Sequence, residues 1–261
     1  MRNGWIAFLG VVGTALLIPM TPHAQKPQPV STTWRTPWSY SGATGPEHWG
    51  RLDPQYAPCK DGKAQSPIDI GRTEEADLPR LRFEYHNGPL NVINNGYTAL
   101  RVDYVDSGDF LIVGDQRYEL TQFHFHRPSE ETIHGKRFDM VLHLMHAARD
   151  GRVAGVAVLL NAGHANPTIE KLWQYMPKTV GTLQEIAGVD INPATLLPND
   201  AAYYTYEGSQ TAPPCGEGVT WFVMKTPMEI SAEEIKAFAK LYPHDVRPLQ
   251  PLNGRVVKEA Q

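Results

Sequence analysis

The chain is poor in cysteine, with Cys59 and Cys215 alone among 261 residues. They can form one disulfide or stand as two separate buried thiols. A bridge between them would close a loop of more than 150 residues, worth roughly 4–5 kcal/mol in the chain-entropy model before any strain. Charge of one sign is also lacking. Lys and Arg number 24 against 28 Asp and Glu, a formal charge of −4, and no basic block suggests a nucleic-acid partner. There is no internal repeat and no second composition regime, so nothing calls for a second globular domain. Long hydrophobic runs are missing too. The apolar stretch from Trp5 to Ile18 is too short for a comfortable membrane span.

That stretch follows Arg2 and is closed by Pro19, Pro22 and Ala24. Such an order reads as a secretory signal peptide over residues 1–24, with a retained anchor as the alternative. Cleavage is expected after Ala24, although Pro22 is a poor residue three places from the cut. It would leave 237 residues and a charge of −5, a size that suits one large all-β or mixed domain. The expected location is periplasmic or secreted. No stable membrane insertion is expected after cleavage, and no cysteine ends the signal segment to carry a lipid.

The 22 prolines and 22 glycines imply many turns, while aromatic and aliphatic residues spread throughout argue against disorder. Residues 25–36 read as a flexible leader and 37–261 as the folded domain. From Trp38 to Ile70 the chain shows no sustained period, as expected of an irregular wrapping segment. Beyond it Leu81, Phe83 and Tyr85 alternate with charged residues, as do Leu100, Val102 and Tyr104, a period-two signal for strands. Gly155–Leu160 and Val219–Met224 are continuous apolar runs, expected of strands buried on both faces. Helical signals are few. Ser231 and Glu234 fit a capping box before Ile235, Phe238 and Leu241, and a shorter helix fits between Pro167 and Pro177. The sum is one mainly β (α+β) domain with peripheral short helices.

The chemistry concentrates in Gln122-Phe123-His124-Phe125-His126. On a strand, side chains two apart share a face, so His124 and His126 project together while the phenylalanines pack opposite. His143, seventeen residues after His126, sits in Val141-Leu142-His143-Leu144-Met145-His146, an apolar run able to lie alongside. His143 or His146 can complete a three-nitrogen site, but not both, because they face opposite sides. Three protein ligands with an open fourth position is the arrangement of catalytic rather than structural zinc.

The string QFHFHRPSEE, then LHLMH, TYEGSQTAPPC and VTW, resembles the alpha-carbonic anhydrases. So do WSY and GPEHW near Trp38–Trp49, Gln65-Ser66-Pro67-Ile68, Asn94-Asn95-Gly96, and RPLQPLNGR. The motifs keep family order from about Trp38 to Val256. The resemblance implies a central, mostly antiparallel ten-stranded twisted sheet and a conical pocket ending at Zn2+. It implies His124, His126 and His143 as the metal ligands, with His146 packing on the other face, and a disulfide between Cys59 and Cys215. The implied activity is reversible hydration of carbon dioxide to bicarbonate and a proton. Thr211 and Glu130 match the pair that orients the attacking oxygen, and Gln122 matches a residue that supports His124. Met145, Val219 and Trp221 match the apolar wall that receives the gas. Monomer and homodimer are both compatible.

Departures from the family pattern carry their own expectations. Tyr97 stands at the position of the proton-shuttling histidine, and tyrosine, titrating near 10, is a poor shuttle at neutral pH. Val141 replaces the glutamate that supports the third ligand, while Glu131 replaces a histidine. The expected compensation is that Glu131 reaches His143, with Tyr206 nearby, or else that a water bridges. Gln210, in place of the apolar residue before Thr211, is expected to put an amide at the pocket wall. Gly155, where a valine is common, and Ala212, where a second threonine is frequent, suggest a wider pocket. Two rival readings are a non-catalytic binding protein on this fold and an exported zinc scavenger. The second is disfavoured because no additional His- or Asp-rich loop occurs.

Overall fold

The computed structural model describes Met1 and residues 36–260 other than 98, 99, 105 and 182. The proposed signal peptide and almost all of the leader lie outside the described residues. The chain divides into two units, 1–33 and 34–261, and the second holds everything described below.

Sixteen strands are described. In chain order they begin with β1 (Asp69–Ile70), β2 (Thr73–Ala76), β3 (Leu81–Glu84), β4 (Gly88–Ile93), β5 (Arg101–Asp103) and β6 (Phe110–Val113). Next come β7 (Gln116–His126), β8 (Thr132–Ile133), β9 (Lys136–Arg137), β10 (Met140–Ala147) and β11 (Val153–Ala162). The last five are β12 (Gln184–Ile191), β13 (Tyr203–Ser209), β14 (Glu217–Met224), β15 (Met228–Ile230) and β16 (Val257–Ala260).

Ten of them form one continuous path, β12-β4-β5-β7-β10-β11-β14-β13-β16-β2. Within it only β11–β14 and β16–β2 are parallel, so the sheet is mostly antiparallel and ten strands wide, as expected. β3, β6 and β15 attach off this path, and β1, β8 and β9 make a separate small sheet.

Both faces of the sheet are buried, which is why its central strands lack polar alternation. Phe123, Phe125, Leu142, Leu144, Val156, Val158 and Phe222 fill one side. Val141, Ala157, Leu159, Tyr206, Val219, Trp221 and Val223 fill the other. Helix α3 (Pro167–Gln174) starts at Asn166, whose side chain accepts from Thr168 and Ile169 amides. Helix α4 (Ala232–Ala239) starts at the expected Ser231/Glu234 capping box. Trp173 and Phe238 from these helices close over Phe125, so the helices cover the side away from the histidine pair.

The wrapping segment carries two short helices, α1 (Trp49–Leu52) and α2 (Pro58–Asp61). Trp38, Trp49 and Tyr56 form an aromatic cluster there with Cys215. Cys59 and Cys215 are bonded, 156 residues apart in sequence.

His146 belongs to the helix-covered side. It is fully buried, its ring stacks against Tyr85, and its Nε2 shares a 2.6 Å hydrogen bond with the Tyr85 hydroxyl. Burial pushes its pKa down to about 3, with backbone groups of Ala154 and Leu144 acting weakly the other way. The unfolded chain takes up this proton near pH 6.5 and the folded chain does not, so stability falls as pH drops below 6.5. The contribution amounts to about 1.4 kcal/mol per pH unit. Urea midpoints between pH 7 and pH 4 should therefore slope less steeply for His146→Gln than for the parent; equal slopes would remove His146 as the cause.

Candidate metal centre

Strand register assembles the site. In the antiparallel pairing of β7 with β10, His143 lies directly opposite His124, and Val141 opposite His126. Directly opposed residues share a face, so His124, His126 and His143 converge on one side of the sheet. One ligand atom from each lies within 4.8 Å of the others. The ring centroids are 4.9–5.3 Å apart.

Each imidazole is held by its other nitrogen. His124 Nδ1 meets Gln122 Oε1 at 2.8 Å. His126 Nδ1 meets the backbone carbonyl of Asp245 at 2.7 Å. His143 Nε2 lies 3.3 Å from Glu131 Oε2 and 3.2 Å from Oε1. Fixing one nitrogen as the donor leaves the other with a lone pair. His126 Nε2 and His143 Nδ1 are buried and have no hydrogen-bond partner among the described residues, a costly state for polar atoms unless something else engages them.

Electrostatics point the same way at two of the three rings. Burial, then repulsion from neighbouring imidazoles, holds His124 and His126 well below the usual histidine pKa, so both are neutral. At His143 burial acts downward, but Glu131 and Glu130 outweigh it and raise the pKa. Glu130, Glu131 and Asp245 are all buried close by, with Arg247 as a buried cation. Burial raises Glu130 to about 7, against the pull of His143 and with the repulsion of Glu131. Three convergent nitrogens among buried carboxylates suit a dication: the donor set fits zinc.

Glu130 Oε1 accepts from the Arg247 backbone amide at 2.9 Å, while Oε2 leans toward the metal-facing nitrogens, 3.6 Å from His126 Nε2. Oε2 has no partner of full hydrogen-bond geometry, yet the Thr211 side chain is near enough to act on this carboxyl as a hydrogen bond that lowers its pKa. Thr211 itself is buried.

A eukaryotic-type carbonic anhydrase family model matches residues 44–261. The chain belongs to the alpha-carbonic anhydrases. A carbonic anhydrase of Nostoc sp. is 42% identical over 228 residues, covering 85% of this chain and 86% of that one. One from Klebsiella pneumoniae is 42% identical over 230 residues, 87% of this chain and 93% of the other. The solved alpha-carbonic anhydrase of Thermovibrio ammonificans, in complex with sulfanilamide, superposes with a TM-score of 0.82 at 41% identity. It covers 85% of this chain and 99% of its own.

The remaining residues named from sequence fall at different places. Across the sheet, Gln122 faces Met145, Met145 faces Gly155, Gly155 faces Trp221 and Trp221 faces Tyr206, one row beside the His124–His143 row. Val219 is buried further along β14, and Trp221 lies 4.7 Å from the His143 ring. Tyr206 donates to Ser66 Oγ at 3.2 Å, and its pKa is raised by burial and then by Glu131. Tyr97 stacks on Trp38 with centroids 4.3 Å apart, and partial burial raises its pKa. Ala212 packs on the aromatic cluster of the wrapping segment. Gln210 is exposed, its Oε1 next to Gly216.

One expectation is corrected. Gly155 does not widen the pocket, because the Trp221 indole occupies the space a larger side chain would take. A Cβ built on Gly155 would sit 2.7 Å from Trp221 Cε3 and Cζ3. On the other edge of the same indole, a Cβ on Gly208 would come within 2.9 Å of Trp221 Cδ1. The two glycines form a slot that seats the ring, and its Nε1 donates to Ser209 O at 3.0 Å.

Sequence reasoning missed five participants. Asp245 acts through its main-chain carbonyl and Arg247 through its amide, so neither carries a side-chain signature. Tyr40 is half-buried with its ring 6.4 Å from His126, and its buried hydroxyl has no hydrogen-bond partner among the described residues; the WSY motif was the available signal. Arg101 and Asp103 were passed over as the polar half of an alternating strand. Gly155→Val forces the indole out of its slot and should cost about 1–3 kcal/mol. Chemical denaturation checks this, and a variant of unchanged stability would mean that the ring has another seat.

Proposed function

We propose that this chain is a zinc-dependent enzyme that hydrates carbon dioxide to bicarbonate and a proton, and reverses the reaction. The observation that carries this reading is the convergence of three buried imidazole donors, in a chain of this family, with each ring held from behind. His124, His126 and His143 would hold the ion. When bound, zinc acts as a Lewis acid that makes water a nucleophile at neutral pH, an effect for which carbonic anhydrases are the standard example.

The protein residues do the rest. Thr211 donates its proton to Glu130, so that its oxygen is left to accept from the attacking oxygen and aim it. With the ion held by the three histidines, Glu130 would stay ionised and so remain an acceptor. Gln122, the Asp245 carbonyl and Glu131 set the rings. In this reading Glu131 supplies the acceptor that Val141 cannot, and Tyr206 stands next to it. Met145, Val219 and Trp221 present an apolar wall to a neutral, apolar gas. The Trp221 slot makes that wall close-packed. Tyr97 is a poor carrier of the departing proton, because burial raises a pKa that is already far above neutral.

A periplasmic or extracellular location is supported by the disulfide, which persists in oxidising compartments. Among the described residues no helix is long and apolar enough to cross a membrane. The non-catalytic alternative is weakened by the presence of the complete triad together with Thr211 and Glu130.

Stopped-flow hydration assays test the function: a rate abolished by a zinc chelator and restored by zinc is expected, and a chelator-insensitive or absent rate overturns the proposal. Imidazole buffer should raise the maximal rate, and Tyr97→His should reduce that dependence; a rate indifferent to buffer would clear Tyr97 as the bottleneck. Glu131→Ala should weaken zinc retention ~10–100-fold, as measured by competition with a chromogenic chelator, while unchanged affinity would exclude the carboxylate as the support of His143.

A further inference from the structure

The row of residues crossing the sheet through the histidines does not stop at β7. In the pairing of β5 with β7, Arg101 lies directly opposite His124 and Asp103 directly opposite Gln122. Opposed residues share a face, so both charges stand on the metal side, while Val102 between them enters the core with Phe123. Their side chains are 17% and 18% exposed, well below an ordinary surface pair.

The two are joined edge to edge. Arg101 Nη2 donates to Asp103 Oδ2 at 2.8 Å, and Nε sits 2.6 Å from Oδ1, off the hydrogen-bond angle. This fixes the guanidinium plane and uses its Nε/Nη2 edge. Nη1 makes no hydrogen bond to another described residue. The pair is polarised along the sheet. Arg101 occupies the row of the histidines and its charge bears on His124, whereas Asp103 occupies the next row, beside Gln122. The positive end therefore faces the metal centre.

We propose that Arg101, held in place by Asp103, is an anion-binding residue of the pocket wall that favours bicarbonate and other small monovalent anions over the neutral gas. This rests on the metal-centre reading above. Carbon dioxide carries no charge and gains nothing from the guanidinium. Bicarbonate, formed or consumed on the same face, does. Asp103 has two opposed effects: it orients the donor and it offsets part of the donor's field.

The opposed effects give the test its sign. In cobalt(II)-substituted protein, thiocyanate binding is followed by visible absorption. Arg101→Gln should raise the thiocyanate Kd about three- to tenfold, the size expected of one partly screened charge nearby. Asp103→Asn should lower it, and Arg101→Lys, which keeps the charge, should restore much of the loss. The KM for bicarbonate should follow the same order while the KM for carbon dioxide stays level. Unchanged thiocyanate affinity in Arg101→Gln, or a shift in the same direction for Arg101→Gln and Asp103→Asn, overturns the inference alone. Failure of the parent protein to bind cobalt overturns the metal-centre reading, and this inference with it.

Discussion

The site depends on one constraint: three imidazoles must be neutral and turned so that each offers a lone pair to the same point. Water would satisfy those lone pairs in an open chain, and burial without a partner is costly. Here the cost is met by holding each ring through its second nitrogen, with an amide oxygen, a main-chain carbonyl and a carboxylate as the three acceptors. The sheet supplies the convergence and the acceptors supply the tautomer. Neither is sufficient alone, since a ring in the right place with the wrong nitrogen protonated cannot bind a cation.

The carboxylate among those acceptors distinguishes this chain. Val141 sits opposite His126 and is fully buried in the apolar cluster. Glu131 approaches His143 from the loop after β7 instead. In the proposed site the support would come from this loop residue, and the imidazole has a carboxylate acceptor at 3.3 Å. Burying Glu131 next to Glu130 is tolerable because a dication is expected to share the enclosure.

Much of this was legible in the sequence because strands have a two-residue period. The alternation of Phe123 and Phe125 with His124 and His126 fixed which side chains meet the core, and the apolar runs at Gly155–Leu160 and Val219–Met224 marked strands covered on both faces. The choice between His143 and His146 was not available from spacing; it depends on register between β7 and β10, including the shift after Met145. Arg101 carried no signal for the same reason, since its place opposite His124 is set by pairing between residues 23 apart in sequence. Gly155 was misread because an absent side chain shows the space left and not what fills it. Asp245 and Arg247 act through groups that every residue possesses.

The Cys59–Cys215 bond joins the wrapping segment to the loop that begins at Thr211, four residues earlier. Arg247 reinforces the same junction, donating Nη2 to the Cys59 carbonyl at 2.8 Å while its amide holds Glu130. The covalent link thus spans the very parts whose mutual placement orients Thr211, whereas the histidines lie on strands that need no such tie. An oxidising environment would therefore act on the placement of the Thr211 loop rather than on the strands that carry the imidazoles, which backbone pairing already ties together.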